Sequence, residues 1–211
     1  MIETTPLTPI LGARITGIDI ARGVDAARMA ELRDALDRFS VLVFPDQRID
    51  DAAQIAFSEG FGPLERTRAG APGAGSPVII LSNIGPDGAI TPPTDKQVLN
   101  NKANRFWHHD SSFKPVPARA SLLSAREIPS AGGDTLWTNQ YLAYESLSEG
   151  MRRMLDGLKA VSKGDNFSSH DGKTRKEYYA DKISMKVRDP GETQTVTTHP
   201  LVRTHPETGR K

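Results

Sequence analysis

The most informative absence from this sequence is that of cysteine, which occurs nowhere in its 211 residues. The protein can therefore have no disulfide bond, no thiolate nucleophile and no cysteine-ligated zinc or iron–sulfur site. Any metal ion must instead be bound by histidine, aspartate, glutamate or carbonyl groups.

The sequence also lacks an excess of charge and a long apolar run. Its formal net charge is +1, which gives no electrostatic reason to expect nucleic acid or an acidic membrane surface as a partner. No stretch approaches the apolar length of a membrane span, and the first residues lack the basic start and apolar run of a secretion signal. We therefore expect a cytoplasmic protein with no membrane partner.

The composition is that of a globular protein, with 37% hydrophobic and 25% charged residues, and the length suits one domain. Asp25 is a plausible N-cap for a helix with Met29 and Leu32 at helical spacing. Apolar patterns and turn residues predict the other elements. Strands are expected over residues 13–20, 41–44, 78–81, 122–125, 135–138 and 195–204, helices over 25–39, 50–60, 141–147 and 150–158, a turn over 85–88, and a polar loop or insert over 163–194.

The last residues predict a turn that should lead into a returning strand. Residues 206–209 are Pro-Glu-Thr-Gly, which are residues typical of a turn after an expected strand, yet the sequence stops at Lys211. One interpretation is a short disordered tail. The other, which we prefer, is a fragment of a longer protein.

Residues 104–113 concentrate aromatic side chains, two histidines and a carboxylate. In an extended strand alternate residues share a face, so His108 and Asp110 should point to the same side and His109 to the other. One imidazole and one carboxylate on a single face supply two corners of the facial triad that holds non-haem Fe(II). The pattern alone leaves two alternatives open: a surface histidine bound to a nearby carboxylate, and a zinc hydrolase.

Six collinear blocks extend this motif into a family resemblance. They are Ser-Val-Leu-Val-Phe at 40–44, Ile-Ala-Phe at 55–57, Phe-Gly-Pro-Leu-Glu at 61–65, Trp-His-His-Asp-Ser-Ser-Phe at 107–113, Gly-Gly-Asp-Thr-Leu-Trp at 132–137 and His-Pro-Leu-Val-Arg-Thr-His-Pro at 199–206. With these blocks the chain resembles the taurine / chlorophenoxyacetate (aryloxyalkanoate) family of 2-oxoglutarate-dependent dioxygenases. The resemblance implies a mainly β protein with flanking helices, a double-stranded β-helix (jelly-roll), as a single dioxygenase domain over residues 1–211 with its C-terminal part missing.

The resemblance also implies site residues and cofactors. His108 and Asp110 fall on two of the iron ligands, Thr135 on the threonine that helps to hold a 2-oxoglutarate carboxylate, and Asn104 on a substrate-contacting position. Fe(II) would be the cofactor, with 2-oxoglutarate and O2 as co-substrates. His199 and His205 fall in a strand-and-turn motif and not on ligands. The family's third ligand, a distal histidine, and its 2-oxoglutarate-binding arginine fall beyond Lys211.

The function implied is hydroxylation of a small anionic organic substrate, aryloxyalkanoate-like or sulfonate-like, with release of succinate and CO2. Thr67 and Gly70 stand where the family's taurine-binding residues would be, which argues against taurine itself. With two of three ligands present, we expect residues 1–211 alone to be inactive. The alternative is a non-catalytic fragment or metal-binding jelly-roll remnant. The sequence indicates a small molecule as the partner and leaves a homo-oligomer open.

Overall fold

The structure is a computed structural model that describes residues 2–65, 77–85, 87–93, 98, 106–163 and 196–211. The elements whose limits lie within these residues are five strands, four α-helices and a 3-10 helix at Ile20–Arg22. The strands are β1 (Glu3–Pro6), β2 (Ala13–Thr16), β3 (Leu42–Val43), β4 (Lys159–Lys163) and β5 (Val196–Pro200). The helices are α1 (Ala26–Phe39), α2 (Asp51–Glu59), α3 (Gln140–Glu145) and α4 (Glu149–Leu155).

The first sheet has the order β1-β2-β3, with β1 antiparallel and β3 parallel to β2. Its central strand alternates as the sequence predicts, because Ala13 and Ile15 are buried and Arg14 is exposed. The strand ends at Thr16, earlier than expected. Strand β1 was not predicted, because its four residues include no large apolar side chain and end at Pro6, which an edge strand tolerates.

Helix α1 begins where the sequence predicts. The Asp25 side chain accepts a hydrogen bond from the Arg28 amide, and Met29 and Leu32 are buried. Helix α2 is capped in the same way by Asp50 and ends at Gly60. The core lies between these helices and the first sheet, and its buried hydrophobic residues are Ala13, Ile15, Ile20, Met29, Leu32, Ala35 and Phe57. The predicted strand over 41–44 is shorter than expected and half-exposed, with Val43 40% accessible.

The middle of the chain does not form the strands that its apolar patterns predict. Residues 78–81, 122–125 and 135–138 have no regular secondary structure. A strand is defined by its pairing with a neighbouring strand, and neither of the two sheets formed by the described residues includes these segments. The predicted turn is confirmed, since the Gly88 amide donates to the Gly85 carbonyl oxygen at 2.9 Å, while Pro86 lies outside the described residues.

The C-terminal part pairs β4 with β5 in an antiparallel two-stranded sheet. Both predicted helices near residues 141–158 are present with shorter limits, and the expected strand over 195–204 is confirmed as Val196–Pro200. The turn after it is confirmed by a 2.9 Å hydrogen bond from the Gly209 amide to the His205 carbonyl oxygen. Except for Lys163 at the end of β4, the polar segment predicted over 163–194 lies outside the described residues.

The combination of sheets with a few flanking helices agrees with the expected fold class. The described residues form two small sheets, and a closed jelly-roll is not seen among them. In this part of the chain no helix combines the length and the apolar character needed to cross a membrane.

Candidate metal centre

His108 and Asp110 converge, although the segment that carries them is not the predicted strand. Residues 106–109 are irregular, and Asp110 begins a turn in which Ser111 has a left-handed backbone with φ of 56°. The strand prediction is therefore wrong here, and the left-handed Ser111 prevents an extended run from continuing beyond Asp110. The His108 Nε2 and Asp110 Oδ1 atoms nevertheless lie 3.6 Å apart.

The hydrogen bonding of His108 fixes which ring nitrogen is free. Its Nδ1 atom lies 2.7 Å from the carbonyl oxygen of Phe106. A carbonyl oxygen can only accept, so Nδ1 carries the proton, and in the neutral ring Nε2 presents its lone pair. A histidine that ligates a metal through one nitrogen commonly donates the other N–H to a carbonyl group.

Asp110 is held by one of its two carboxylate oxygens. The Ser121 hydroxyl donates to Oδ2 at 2.5 Å, and Oδ1 is the oxygen that faces His108. Both side chains are about half exposed, at 51% for His108 and 58% for Asp110, so a ligand can reach the pair from solvent.

The turn after Asp110 is anchored by Glu65 to the N-terminal body, which consists of residues 2–65 with the first sheet, α1 and α2. The Ser111 hydroxyl donates to Glu65 Oε2 at 2.7 Å, and Lys114 Nζ lies 2.6 Å from the same oxygen. Partial burial acts to raise the pKa of Glu65, but the hydrogen bonds from Lys114 and Ser111 and the charge of Lys114 outweigh it. The pKa therefore lies below its ordinary value, and Glu65 is an anion that holds the turn.

Strand β5 holds the other side of the same turn. The Thr197 hydroxyl donates to the Phe113 carbonyl oxygen at 2.5 Å, and His199 Nε2 donates to the Lys114 carbonyl oxygen at 2.9 Å. His199 thus has a structural partner in this turn. The carbonyl bonds and the Glu65 bonds together fix the residues that follow Asp110.

The donor set fits a divalent metal ion in part. Two ligand atoms that each lie about 2.1 Å from one ion at right angles are about 3.0 Å apart. The observed 3.6 Å separation of Nε2 and Oδ1 is wider than this by about 0.6 Å. The described residues contain no group of three or more His, Cys, Asp or Glu side chains that could hold a metal ion. His108 and Asp110 are thus a pair of ligands and not a complete site.

A family model described as "Taurine catabolism dioxygenase TauD, TfdA family" matches residues 3–211 of the chain. The protein belongs to this family. Enzymes of the TauD/TfdA family use Fe(II), with 2-oxoglutarate and O2 as co-substrates, so the predicted enzyme class and cofactors are confirmed.

Two relatives and one crystal structure illustrate which proteins of the TauD/TfdA family the chain is similar to. The chain is 33% identical to the (S)-phenoxypropionate/alpha-ketoglutarate-dioxygenase of Sphingobium herbicidovorans, over 99% of this chain and 68% of the relative. It is 32% identical to the alpha-ketoglutarate-dependent 2,4-dichlorophenoxyacetate dioxygenase of Cupriavidus pinatubonensis, over 100% of this chain and 71% of the relative. The crystal structure of AAD-2 in complex with Mn(II) and N-oxalylglycine superimposes with a TM-score of 0.80 at 28% identity, covering 99% of this chain and 70% of AAD-2.

The structure does not bring Thr135 into the His108–Asp110 pair. Thr135 is exposed in an irregular segment after Gly132 and Gly133, both of which have φ of 77°. No hydrogen bond joins it to His108 or Asp110, although all three residues are described. Asn104, the candidate substrate residue, lies outside the described residues.

Ser121 and Glu65 support the candidate ligands, and neither role was predicted from the sequence. Glu65 closes the Phe-Gly-Pro-Leu-Glu block at 61–65, so its place in a family motif was a signal that a role existed. Ser121 gave no comparable signal, because its partner Asp110 is 11 residues away and no spacing rule links the two positions.

Proposed function

We propose that the protein is an Fe(II)- and 2-oxoglutarate-dependent dioxygenase that hydroxylates a small anionic organic substrate of the aryloxyalkanoate or sulfonate type. The observation that carries the proposal is the 3.6 Å convergence of His108 Nε2 and Asp110 Oδ1 within a chain of the TauD/TfdA family. The substrate class is supported by the names of the two relatives, which specify phenoxypropionate and 2,4-dichlorophenoxyacetate. Taurine, in the family's description, is a sulfonate.

In this proposal His108 and Asp110 hold Fe(II) through Nε2 and Oδ1, and a third protein ligand comes from outside the described residues. Thr135 donates a hydrogen bond to a carboxylate of 2-oxoglutarate, and Asn104 contacts the substrate. The positive φ angles of Gly132 and Gly133 support the role of Thr135, because they let the backbone turn sharply just before its hydroxyl.

The overall reaction takes up O2, converts 2-oxoglutarate to succinate and CO2, and places the second oxygen atom on a substrate carbon as a hydroxyl group. When bound, the metal supplies the oxidising chemistry and the sites for the co-substrates. The chain supplies geometry. The Phe106 carbonyl keeps His108 in the tautomer with a free Nε2, and the Asp110 carboxylate supplies one negative charge beside it.

We further propose that the domain is a jelly-roll in which residues 78–81, 122–125 and 135–138 become strands by pairing with strands outside the described residues. Exposed apolar side chains in all three segments support this, among them Leu81 at 57%, Leu123 at 63% and Leu136 at 72%. Hydrogen exchange on the full-length protein tests the idea. We expect protected amides in the three segments, and fast exchange throughout them would contradict a jelly-roll.

The function is tested by succinate release from the full-length protein with Fe(II), ascorbate and a panel of aryloxyalkanoates and sulfonates. We expect turnover that requires both Fe(II) and 2-oxoglutarate, lost in His108→Ala and kept in the neighbouring control His109→Ala. A zinc hydrolase would be indifferent to 2-oxoglutarate, and a non-catalytic remnant would release no succinate with any substrate. Either result would overturn the proposal.

A further inference from the structure

The Ser121 hydroxyl forms a hydrogen bond with Asp110, one of the two candidate metal ligands. Its Oγ atom donates to Asp110 Oδ2 at 2.5 Å, a distance typical of a strong bond from a hydroxyl group to a charged oxygen. The bond leaves Oδ1 as the oxygen that faces His108 Nε2. The hydroxyl therefore distinguishes between the two otherwise equivalent oxygens of the carboxylate.

The backbone on either side of Ser121 is held by the N-terminal body. Two residues earlier, Arg119 forms an ion pair with Asp37 of α1, with 3.0 Å between Nη2 and Oδ2. One residue later, Leu122 packs against the hydrophobic core. The Ser121 hydroxyl is thus presented from a segment that has its own contacts with the N-terminal body, through Arg119 and Leu122.

The turn at Asp110 has its own anchor in Glu65, through Ser111 and Lys114. That anchor places the backbone after Asp110, but it does not touch the Asp110 carboxylate. Rotation of the carboxylate about its last side-chain bond is soft, because the torsion at an sp² carbon has a broad minimum. The contact that limits this rotation is the Ser121 bond, which reaches Asp110 from the second anchored segment.

We infer that Ser121 is a positioning residue that holds Asp110 for metal binding through a single oxygen, Oδ1. The inference rests on the proposed metal-binding role of His108 and Asp110. Hydrogen bonds of this kind to metal ligands orient the ligand and commonly change metal affinity by about 10–100-fold when removed.

The test measures Mn(II) affinity of the full-length protein by titration, with the free ion followed by electron paramagnetic resonance. We expect Ser121→Ala to weaken Mn(II) binding by about 10-fold and Ser121→Thr, which keeps the hydroxyl, to restore it. Ser111→Ala is the matched control, because it also removes one hydroxyl-to-carboxylate bond from this turn but leaves Asp110 untouched. Its Mn(II) affinity should stay within about 2-fold of the unmodified protein.

Co(II) absorption gives a second readout that a loss of stability alone would not move. Free rotation of Asp110 in Ser121→Ala should change the intensity of the Co(II) ligand-field bands, which follow coordination geometry, while Ser111→Ala should leave them unchanged. Equal Mn(II) affinities in Ser121→Ala and the unmodified protein, or equal losses in Ser121→Ala and Ser111→Ala, would overturn the inference. If His108→Ala also leaves Mn(II) binding intact, the proposed metal site itself fails, and the two failures are thereby distinguished.

Discussion

The first 65 residues contain every buried hydrophobic side chain that the described structure shows, whereas residues 106–138, which carry the candidate metal ligands, contribute none. The two regions meet mainly through polar contacts. Arg119 pairs with Asp37, Arg126 with Asp51, and Lys114 with Glu65. Leu122 is the apolar exception, since it packs against the core while remaining partly accessible.

The residues that stabilise the fold are therefore largely different from those that position the candidate ligands. Burial of apolar side chains is non-directional and supplies most of the free energy of folding. Hydrogen bonds and ion pairs are weaker but directional, so they can set the position of one carboxylate oxygen within a few tenths of an ångström. The N-terminal region therefore acts as the rigid support, and the site region is positioned on it by contacts such as Ser121 to Asp110.

The largest expected effect comes from the buried core. Leu32 has no accessible surface, so Leu32→Ala should lower the free energy of unfolding by about 2–5 kcal/mol. Ile128 lies in the site region and is 77% exposed. Ile128→Ala removes the same number of carbon atoms and should change stability by less than about 0.5 kcal/mol. Urea denaturation measures both variants, and similar losses would mean that the two regions do not differ in burial.

The second-largest expected effect is on the affinity for 2-oxoglutarate and not on the stability of the fold. Removing the Thr135 hydroxyl deletes one hydrogen bond to a charged group, so Thr135→Ala should weaken 2-oxoglutarate binding by about 1.5–3 kcal/mol and spare the metal. Thr138→Ala, in the same exposed segment, is the control and should bind normally. Calorimetric titration of the Mn(II)-loaded protein measures both affinities. Normal affinity in Thr135→Ala would remove this residue from the site.

Each polar contact between the two regions should by itself contribute little to the free energy of unfolding. Arg119 and Asp37 are partly accessible, at 29% and 23%, and their ion pair should contribute about 0.2–1 kcal/mol. A double-mutant cycle with Arg119→Ala and Asp37→Ala isolates this coupling from the other effects of each change. A coupling energy well above that range would show that the site region is joined to the body by strong individual contacts.

The same contrast explains what could be predicted from sequence. Helices α1 and α2 were found because Asp25, Asp50 and Gly60 are local signals at their ends. The patterns at 78–81, 122–125 and 135–138 suit strands, but a strand also depends on a partner that local sequence does not specify. Strand β4 was missed for the same reason, since its pairing with β5 decides its structure, and β1 has in addition no large apolar side chain to indicate a strand.

The proximity of the two candidate ligands was predicted from sequence, but the local structure that was expected to produce it is different. Alternation in a strand predicted that His108 and Asp110 would converge, and they do, but in an irregular segment that leads into a turn and not in a strand. The supporting contacts come from residues far away in sequence, such as Glu65, which is 46 residues from Ser111. Only the three-dimensional structure could identify them.

The smallest expected effect is a pH dependence at Glu65, the residue that joins the site turn to the N-terminal body. The pKa of Glu65 lies below its ordinary value of 4.5, because hydrogen bonds from Lys114 and Ser111 and the charge of Lys114 outweigh the opposing effect of partial burial. A carboxyl group whose pKa is lowered by folding stabilises the folded state above its unfolded pKa. That contribution is lost as the pH falls through the lower, folded value.

Glu65→Gln should therefore be less stable than the unmodified protein at neutral pH, and the difference should shrink as the pH falls below about 4.5, the ordinary carboxyl value. Lys114→Met removes the other half of the pair and should give the same pH profile. Urea denaturation between neutral pH and about pH 3 measures the three proteins across this range. If the difference stays constant at acidic pH, the charge on Glu65 does not stabilise the turn. The Thr197 and His199 bonds from β5 would then be its main anchors.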